Sequence, residues 1–178
     1  MNLMSTELES GFGESIRKTF EIFSPNRIIE TGTYLGIGTT TIISSIIKDL
    51  GLKSKFYSIE VNPTYYEMAF KNLTNSGLKP YVDLVRGLSI PREMLMSRSQ
   101  IQVEFVEKKW PENIYIDHSV EDRVDKYFGE TDFDSLPDDC LDYCLKKFNY
   151  SPDFVLLDSA GHLGRLEFLY LISKLKNS

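Results

Sequence analysis

Three glycines lie within seven residues, at Gly32, Gly36 and Gly38, and an acid, Glu30, precedes them. A loop that bends this sharply needs positive φ angles or close backbone approach, and glycine provides both without a steric penalty. Its N–H groups can then point at a ligand. The threonines that begin at Thr39 suit the N-cap of a helix, whose first-turn amides attract a polar or anionic group. This spacing therefore predicts a loop that binds a polar ligand.

The elements around the loop are predicted from hydrophobic periodicity. A short apolar run at 27–30 precedes the glycines, and residues 39–50 carry apolar side chains at helical spacing, which indicates a strand, a tight loop and a helix. A second apolar run, 55–60, ends in Glu60, 22 residues beyond Gly38. An ordinary connection that binds nothing is the alternative interpretation of the glycines.

The stretch 30–38 resembles motif I of class I S-adenosylmethionine-dependent methyltransferases, and Glu60 matches the acid that ends their second strand. Dinucleotide-binding folds carry G-x-G-x-x-G, whereas this chain has G-x-x-x-G-x-G, which disfavours a nicotinamide-dependent oxidoreductase. The resemblance implies S-adenosyl-L-methionine as the cofactor. Glu30 would orient its ammonium and Glu60 its ribose hydroxyls. The other cofactor-binding candidates in these two stretches are Gly32, Thr33, Tyr34, Gly36, Gly38 and Val61.

Two later segments extend the resemblance. The apolar run 153–158 ends in Asp158, which resembles motif IV and would lie near the transferred methyl group, although an acid there can also cap the next helix. His162, four residues on, is a candidate base, or an ordinary helix-terminal histidine. The loop after the third strand, with Gly87 and Ser89, would lie along the adenine, and Leu88 occupies a position where the family often has an acid. No metal site is predicted.

The predicted fold class is α/β, a Rossmann-like doubly wound parallel sheet in three αβα layers. Strands at 27–30, 55–60, 81–86 and 153–158 would give the order 3-2-1-4, with helices at 14–23, 39–50, 63–77 and 163–175. Residues 91–98 are predicted as a crossover helix, and the alternation of Ile101, Val103 and Phe105 indicates a further strand. Strands 5–7 of the family have no candidates. We expect a fragment of a longer chain; a partner chain or part of 101–150 at the fourth strand is the alternative.

Composition indicates one domain, 1–178, that is partial relative to the family. The net charge is −6, and 11 of the acids lie within 112–142, so 101–150 is predicted to be an acidic insertion over the carboxyl edge of the sheet; a solvated helical hairpin or a dimer contact would fit as well. The charge gives no help to nucleic-acid binding, and no run of 18 apolar residues predicts a membrane span. Cys140 and Cys144 are predicted to be packed, reduced thiols of a cytoplasmic protein.

The function predicted is transfer of a methyl group to a small-molecule acceptor, most simply at an oxygen. The enzyme's task in such a displacement is to align nucleophile and methyl, with a base where the acceptor must lose a proton. A homodimer fits this reading. The alternative is a non-catalytic or truncated nucleoside-binding domain of the same fold.

Overall fold

A computed structural model describes residues 9–103, 125, 127–129, 131, 136–159 and 161–176. The first half of the chain alternates helices and strands: α1 Gly11–Phe23, β1 Arg27–Thr31, α2 Thr39–Asp49, β2 Lys55–Glu60, α3 Pro63–Asn75 and β3 Asp83–Arg86. Short 3₁₀ turns at Lys79–Tyr81 and Arg92–Met94 flank β3. The later elements are α4 Arg98–Gln102, α5 Cys140–Lys147, β4 Phe154–Leu157 and α6 Gly161–Lys176.

The four described strands form one parallel sheet in the order β3-β2-β1-β4. The fold is therefore the predicted Rossmann-like α/β arrangement. Arg27 pairs with Lys55 of β2, and Ile28 pairs with Phe154 of β4, so the strand ends are level. The third strand is shorter than predicted, because residue 81 belongs to a 3₁₀ turn and pairing starts at Asp83.

Alternate residues of β1 enter two separate apolar clusters, as the period of a strand requires. Ile28 packs with α1, α2 and α3, whereas Ile29 packs with α5 and α6 on the other face, and both side chains are fully buried. Burial of each such side chain stabilises the fold by about 1.5–3 kcal/mol. Helices thus cover both faces, which confirms three αβα layers.

The prediction of a crossover helix at 91–98 was wrong. Pro91 and Leu95 have extended backbone angles, and only a single 3₁₀ turn lies between them. A helix begins instead at Arg98, because the Ser97 hydroxyl accepts from the Gln100 N–H and the Gln100 side chain accepts from the Ser97 N–H, which forms a capping box.

The predicted strand at Ile101 and Val103 was also wrong. Ile101 is a fully buried residue of α4, and Val103 continues with helical angles, φ −59° and ψ −49°. Two alternating apolar residues fit one turn of a helix as well as a strand, and the capping box decides between them. Phe105 lies outside the described residues.

Helix α5 covers the face of the sheet that the predicted crossover helix would have covered. Leu141, Cys144 and Leu145 are fully buried there against Ile29 and Ile59. One face of the helix at 140–147, within the predicted 101–150 insertion, therefore packs into the core, while most of the acidic part of that insertion lies outside the described residues. No helix in the described part of the chain is both long and apolar enough to cross a membrane.

The two cysteines of α5 are free, buried thiols, as predicted. Burial raises the pKa of Cys140 to about 11 and that of Cys144 to about 12. Thiols in such surroundings remain protonated at neutral pH, so they pack as small apolar groups and are unreactive.

Candidate ligand-binding site at the carboxyl edge of the sheet

A cavity of about 300 Å³ opens outside the carboxyl ends of the strands. This is the edge at which open parallel α/β sheets bind their ligands. Its lining comes from the ends of the four strands and from the loops and helix starts that follow them: Thr31, Gly32 and Tyr34; Ile59, Glu60, Val61, Asn62 and Tyr65; Gly87, Leu88 and Ser89; and Asp158, Ser159 and Leu163.

Gly32 forms the floor of the bend after β1. Its φ is +84°, and a Cβ there would overlap the backbone of Asp158, with the carbonyl carbon 2.8 Å away. Gly36 also has a positive φ, +64°, but a Cβ there would meet Ala69 of α3 at 3.0 Å. One glycine therefore brings the loop against the β4 end, and the other packs the loop on α3 away from the cavity.

The hydroxyls at the start of α2 do not cap the helix, which corrects the prediction for them. The N-cap is Gly38, which offers no side chain. Thr41 donates back to the Gly36 carbonyl at 2.6 Å, while Thr39 and Thr40 donate to the Glu30 carboxylate at 2.5 and 2.6 Å. All three hydroxyls thus act as donors, and the two bonds to the Glu30 carboxylate are of the kind that is stronger than a bond between neutral groups.

Glu30 is fully buried and does not line the cavity. Besides the two threonines, it accepts from the Ser58 hydroxyl at 2.6 Å, and Ser58 in turn contacts the Thr33 hydroxyl at 2.6 Å. Burial raises the pKa of Glu30 to about 7, although the three hydroxyls oppose the shift. Glu30, Thr33, Gly36 and Gly38 therefore form the support behind the loop and not its ligand-facing wall.

Glu60 lies in the cavity wall with its side chain fixed by backbone N–H groups. Its Oε2 accepts from Tyr34 at 2.6 Å and its Oε1 from Asn62 at 2.8 Å. Tyr34 has a positive φ of +53°, and its ring meets that of Tyr65 edge-on at 4.7 Å between centroids. The carboxylate is thus positioned before any ligand arrives, with two aromatic rings beside it.

Asp158 lies on the opposite side of Gly32 from Glu60 and also lines the cavity. Its side chain is exposed, yet partial removal of water raises the pKa of its carboxyl, and a hydrogen bond with Thr39 opposes the shift. The Thr39 hydroxyl lies 3.2 Å from Asp158 Oδ2 and also bonds Glu30, so one hydroxyl links the two acids.

Among the other predicted residues, Val61, Gly87 and Ser89 line the wall, and so does Leu88. The side chain of His162 lies outside the part of the structure that is described. Within the described ranges, no group of three or more histidine, cysteine or acidic side chains is arranged to hold a metal ion.

Glu167 of α6 is a buried acid that the sequence analysis missed. It is fully buried and accepts hydrogen bonds from Thr31, Ser89 and Ser159, which lie at or just beyond the carboxyl ends of β1, β3 and β4. Burial raises its pKa, against the opposing effect of the three hydroxyls. A signal was present: Glu167 lies on the same helical stripe as the buried Leu163, Tyr170 and Leu171.

The fold and the site define an open α/β protein with a ligand cavity at the carboxyl edge of its parallel sheet. No family model and no curated protein matches the chain. Solved structures that match include a proposed caffeoyl-CoA O-methyltransferase from Staphylococcus aureus, at 22% identity, a TM-score of 0.41, and coverage of 59% of this chain and 43% of that one.

Two further solved structures match. One is an RNA methyltransferase from Salinibacter ruber in complex with S-adenosyl-L-homocysteine, at 17% identity, a TM-score of 0.32, and coverage of 42% of this chain and 46% of that one. The other is a proposed O-methyltransferase from Klebsiella pneumoniae, at 15% identity, a TM-score of 0.41, and coverage of 97% and 70%. The match to this chain spans less than half of the first two structures.

Proposed function

We propose that this chain is an S-adenosyl-L-methionine-dependent methyltransferase domain that transfers a methyl group to an oxygen of a small-molecule acceptor. The observation that carries the proposal is the cavity in which the Gly32 bend, Glu60 and Asp158 come together at neighbouring strand ends. The identity of the ligand is inferred from the motif resemblance, and Gly32, Glu60 and Asp158 all line the same cavity.

The proposed cofactor contacts follow from the lining. Glu60, already oriented by two backbone N–H groups, accepts from the ribose hydroxyls, with Val61 beside it. The Gly32 bend receives the methionine portion. Gly87 and Ser89 lie along the adenine, and Leu88 packs on the ring in place of an acid.

The proposed chemistry is a displacement at the sulfonium methyl, in which alignment of the two reactants provides most of the acceleration. Asp158 is the candidate base for the acceptor hydroxyl, because its raised pKa moves it towards the range in which a carboxylate can accept a proton. Glu30 acts indirectly in this scheme: it holds Thr39, and Thr39 lies beside Asp158. His162 is retained as a candidate second base from the sequence.

Calorimetric titration tests the proposal. The unmodified chain is expected to bind S-adenosylhomocysteine and not NAD. Glu60→Ala is expected to weaken that binding by about a hundredfold, since two hydrogen bonds to a charged group are lost. Glu67→Ala, which removes an exposed acid of α3 outside the cavity, is the matched control and should leave the affinity unchanged. Equal affinities for the two variants would contradict the ribose assignment, and binding of NAD alone would overturn the proposal.

A non-catalytic nucleoside-binding domain is the second candidate, and Leu88 in the cavity wall favours it, because an apolar residue stands where the resembled family often has an acid. This candidate would be selected if the chain binds S-adenosylhomocysteine but transfers no methyl group from S-adenosyl-L-methionine to any of a panel of phenols, catechols and alcohols. The buried free thiols of α5 suit a reducing compartment, so the cytoplasm is the proposed location. Sedimentation would test the proposed homodimer.

A further inference from the structure

Glu167 connects the carboxyl ends of three strands through three hydroxyl groups. Its Oε2 accepts from Thr31 at 2.8 Å, and its Oε1 accepts from Ser159 at 2.8 Å and from Ser89 at a shorter distance. Thr31 is the last residue of β1, whereas Ser159 and Ser89 lie just beyond β4 and β3, and all three line the cavity. Glu167 itself does not line it, so any effect on a ligand passes through the three hydroxyls.

The direction of these hydrogen bonds limits what the cavity wall can offer. An ionised carboxylate only accepts, and a hydroxyl has a single hydrogen to donate. Each of the three hydroxyls therefore directs its hydrogen at Glu167 and keeps only acceptor lone pairs for a ligand. The negative charge of Asp158 also raises the pKa of Glu167, and the Asp158 carboxylate likewise only accepts hydrogen bonds when it is ionised.

We propose that Glu167 is a positioning residue that orients the hydroxyls of Thr31, Ser89 and Ser159 as acceptors and so makes the cavity select ligands that present N–H or O–H donors. The proposal rests on the proposed function only for the identity of that ligand. An adenosyl amino acid carries three sets of donors: an ammonium, the ribose hydroxyls and the exocyclic amine.

The substitution Glu167→Gln tests the orientation with little change in shape. The amide nitrogen donates, so at least one hydroxyl beside it must turn round to accept, and that hydroxyl's hydrogen becomes available to the cavity. Asp142→Asn is the matched control: Asp142 is also a buried acid, but it lies on α5 and pairs with Lys146 and Lys174 away from the cavity.

The first measurement needs no ligand. Chemical unfolding gives the free energy of unfolding of Glu167→Gln, Ser89→Ala and Ser159→Ala, and of the two double variants that combine Glu167→Gln with each serine change. These values form two double-mutant cycles. We expect each double variant to lose less unfolding free energy than the sum of the losses in its two single variants, because the second change removes a contact that is already broken. Additive losses for both serines would overturn the proposal.

The second measurement is calorimetric titration with S-adenosylhomocysteine and with three analogues, each lacking one of its donor sets. We expect Glu167→Gln to weaken binding of the parent compound by about tenfold, the equivalent of one hydrogen bond. We also expect a smaller affinity ratio between the parent compound and at least one analogue than the unmodified chain gives. A purely structural role would weaken all four compounds equally and leave the ratios unchanged, which would overturn the proposal; Asp142→Asn should keep both affinity and ratios.

The two measurements separate this proposal from the proposed function. If the unmodified chain binds none of the four compounds, the methyltransferase proposal fails, and the cycles alone decide the role of Glu167. If Glu167→Gln does not fold, Ser159→Ala replaces it in the titrations, with the same expected loss of discrimination and the same contradicting result.

Discussion

Two buried acids on opposite faces of the sheet are held in the same way and serve different regions. Glu30 faces α2 and Glu167 faces β1 from α6; each is fully buried and each accepts from three hydroxyls. The hydroxyls around Glu30 belong to α2 and β2 and do not line the cavity, whereas all three around Glu167 do. The same chemistry thus anchors a helix on one face and orients a cavity wall on the other.

The alternation of side chains along β1 explains why Glu30 and Glu167 lie on different faces of the sheet. Glu30 and Thr31 are consecutive, so their side chains leave the strand on opposite faces. Glu30 continues the row of Ile28 towards α2, and Thr31 continues the row of Ile29 towards α6 and meets Glu167 there. Both carboxylates lose hydration on burial, and their hydroxyl partners only partly offset that cost, so both pKa values are raised.

Gly32→Ala is expected to have the largest effect. Gly32 directly follows Glu30 and Thr31, so a side chain there would disturb the hydrogen bonds around both Glu30 and Glu167. The new Cβ would overlap the Asp158 backbone at a residue whose φ is +84°. We expect a loss of about 3–4 kcal/mol in the free energy of unfolding and loss of ligand binding. Gly51→Ala is the control: its φ is +63° but nothing lies within 4 Å of the added Cβ, so about 1 kcal/mol should be lost. Similar losses for the two variants would contradict the close packing described for Gly32.

The pH dependence of stability tests the Glu30 side. The folded pKa of Glu30, about 7, lies above its ordinary value of 4.5, so the folded protein holds the proton more tightly than the unfolded chain. The stability associated with Glu30 is therefore greatest below pH 4.5 and is lost as the pH rises to 7, by about 3 kcal/mol at 1.36 kcal/mol per pKa unit.

Chemical unfolding between pH 4.5 and 8 measures this loss when Glu30→Gln is followed in parallel. The difference in unfolding free energy between the unmodified chain and Glu30→Gln should fall with rising pH and level off above pH 7. Parallel curves would show that Glu30 keeps an ordinary pKa. Glu167→Gln should give a difference of the same sign, since the pKa of Glu167 is also raised.

Much of this arrangement can be predicted from sequence, and the exceptions have physical causes. Glycine spacing and apolar runs predict the strand order and place Glu60 and Asp158 at one edge, because parallel strand ends must meet there. The burial of Glu30 was not predicted: an acid at a strand end reads as ligand-facing unless the hydroxyls of a later helix are known to reach it. Glu167 was missed because only the apolar residues of α6 were used to predict which side of that helix is buried.

Removal of one hydroxyl from each network gives a smaller, paired test. Ser58→Ala removes a donor from Glu30 and Ser159→Ala removes one from Glu167. Each should cost about 1 kcal/mol of unfolding free energy, the usual contribution of one hydrogen bond. Ser159→Ala should change the affinity for S-adenosylhomocysteine more than Ser58→Ala does, because only Ser159 lines the cavity. The reverse order in calorimetry would contradict the division between the two faces.

The smallest effect is expected at the opposite, amino edge of the sheet. Asp153 before β4 bonds the Arg27 side chain at 2.5 Å and accepts from the backbone N–H groups of Asn26 and Arg27. These groups are largely solvated, so Asp153→Asn should lower the unfolding midpoint only slightly, and the difference should shrink further in high salt. Ligand affinity should not change, since both strands carry their cavity residues at the other end. A marked loss of ligand affinity in Asp153→Asn would mean that strand pairing at the amino edge affects the shape of the cavity. The division between residues that only stabilise the fold and residues that select the ligand would then be wrong.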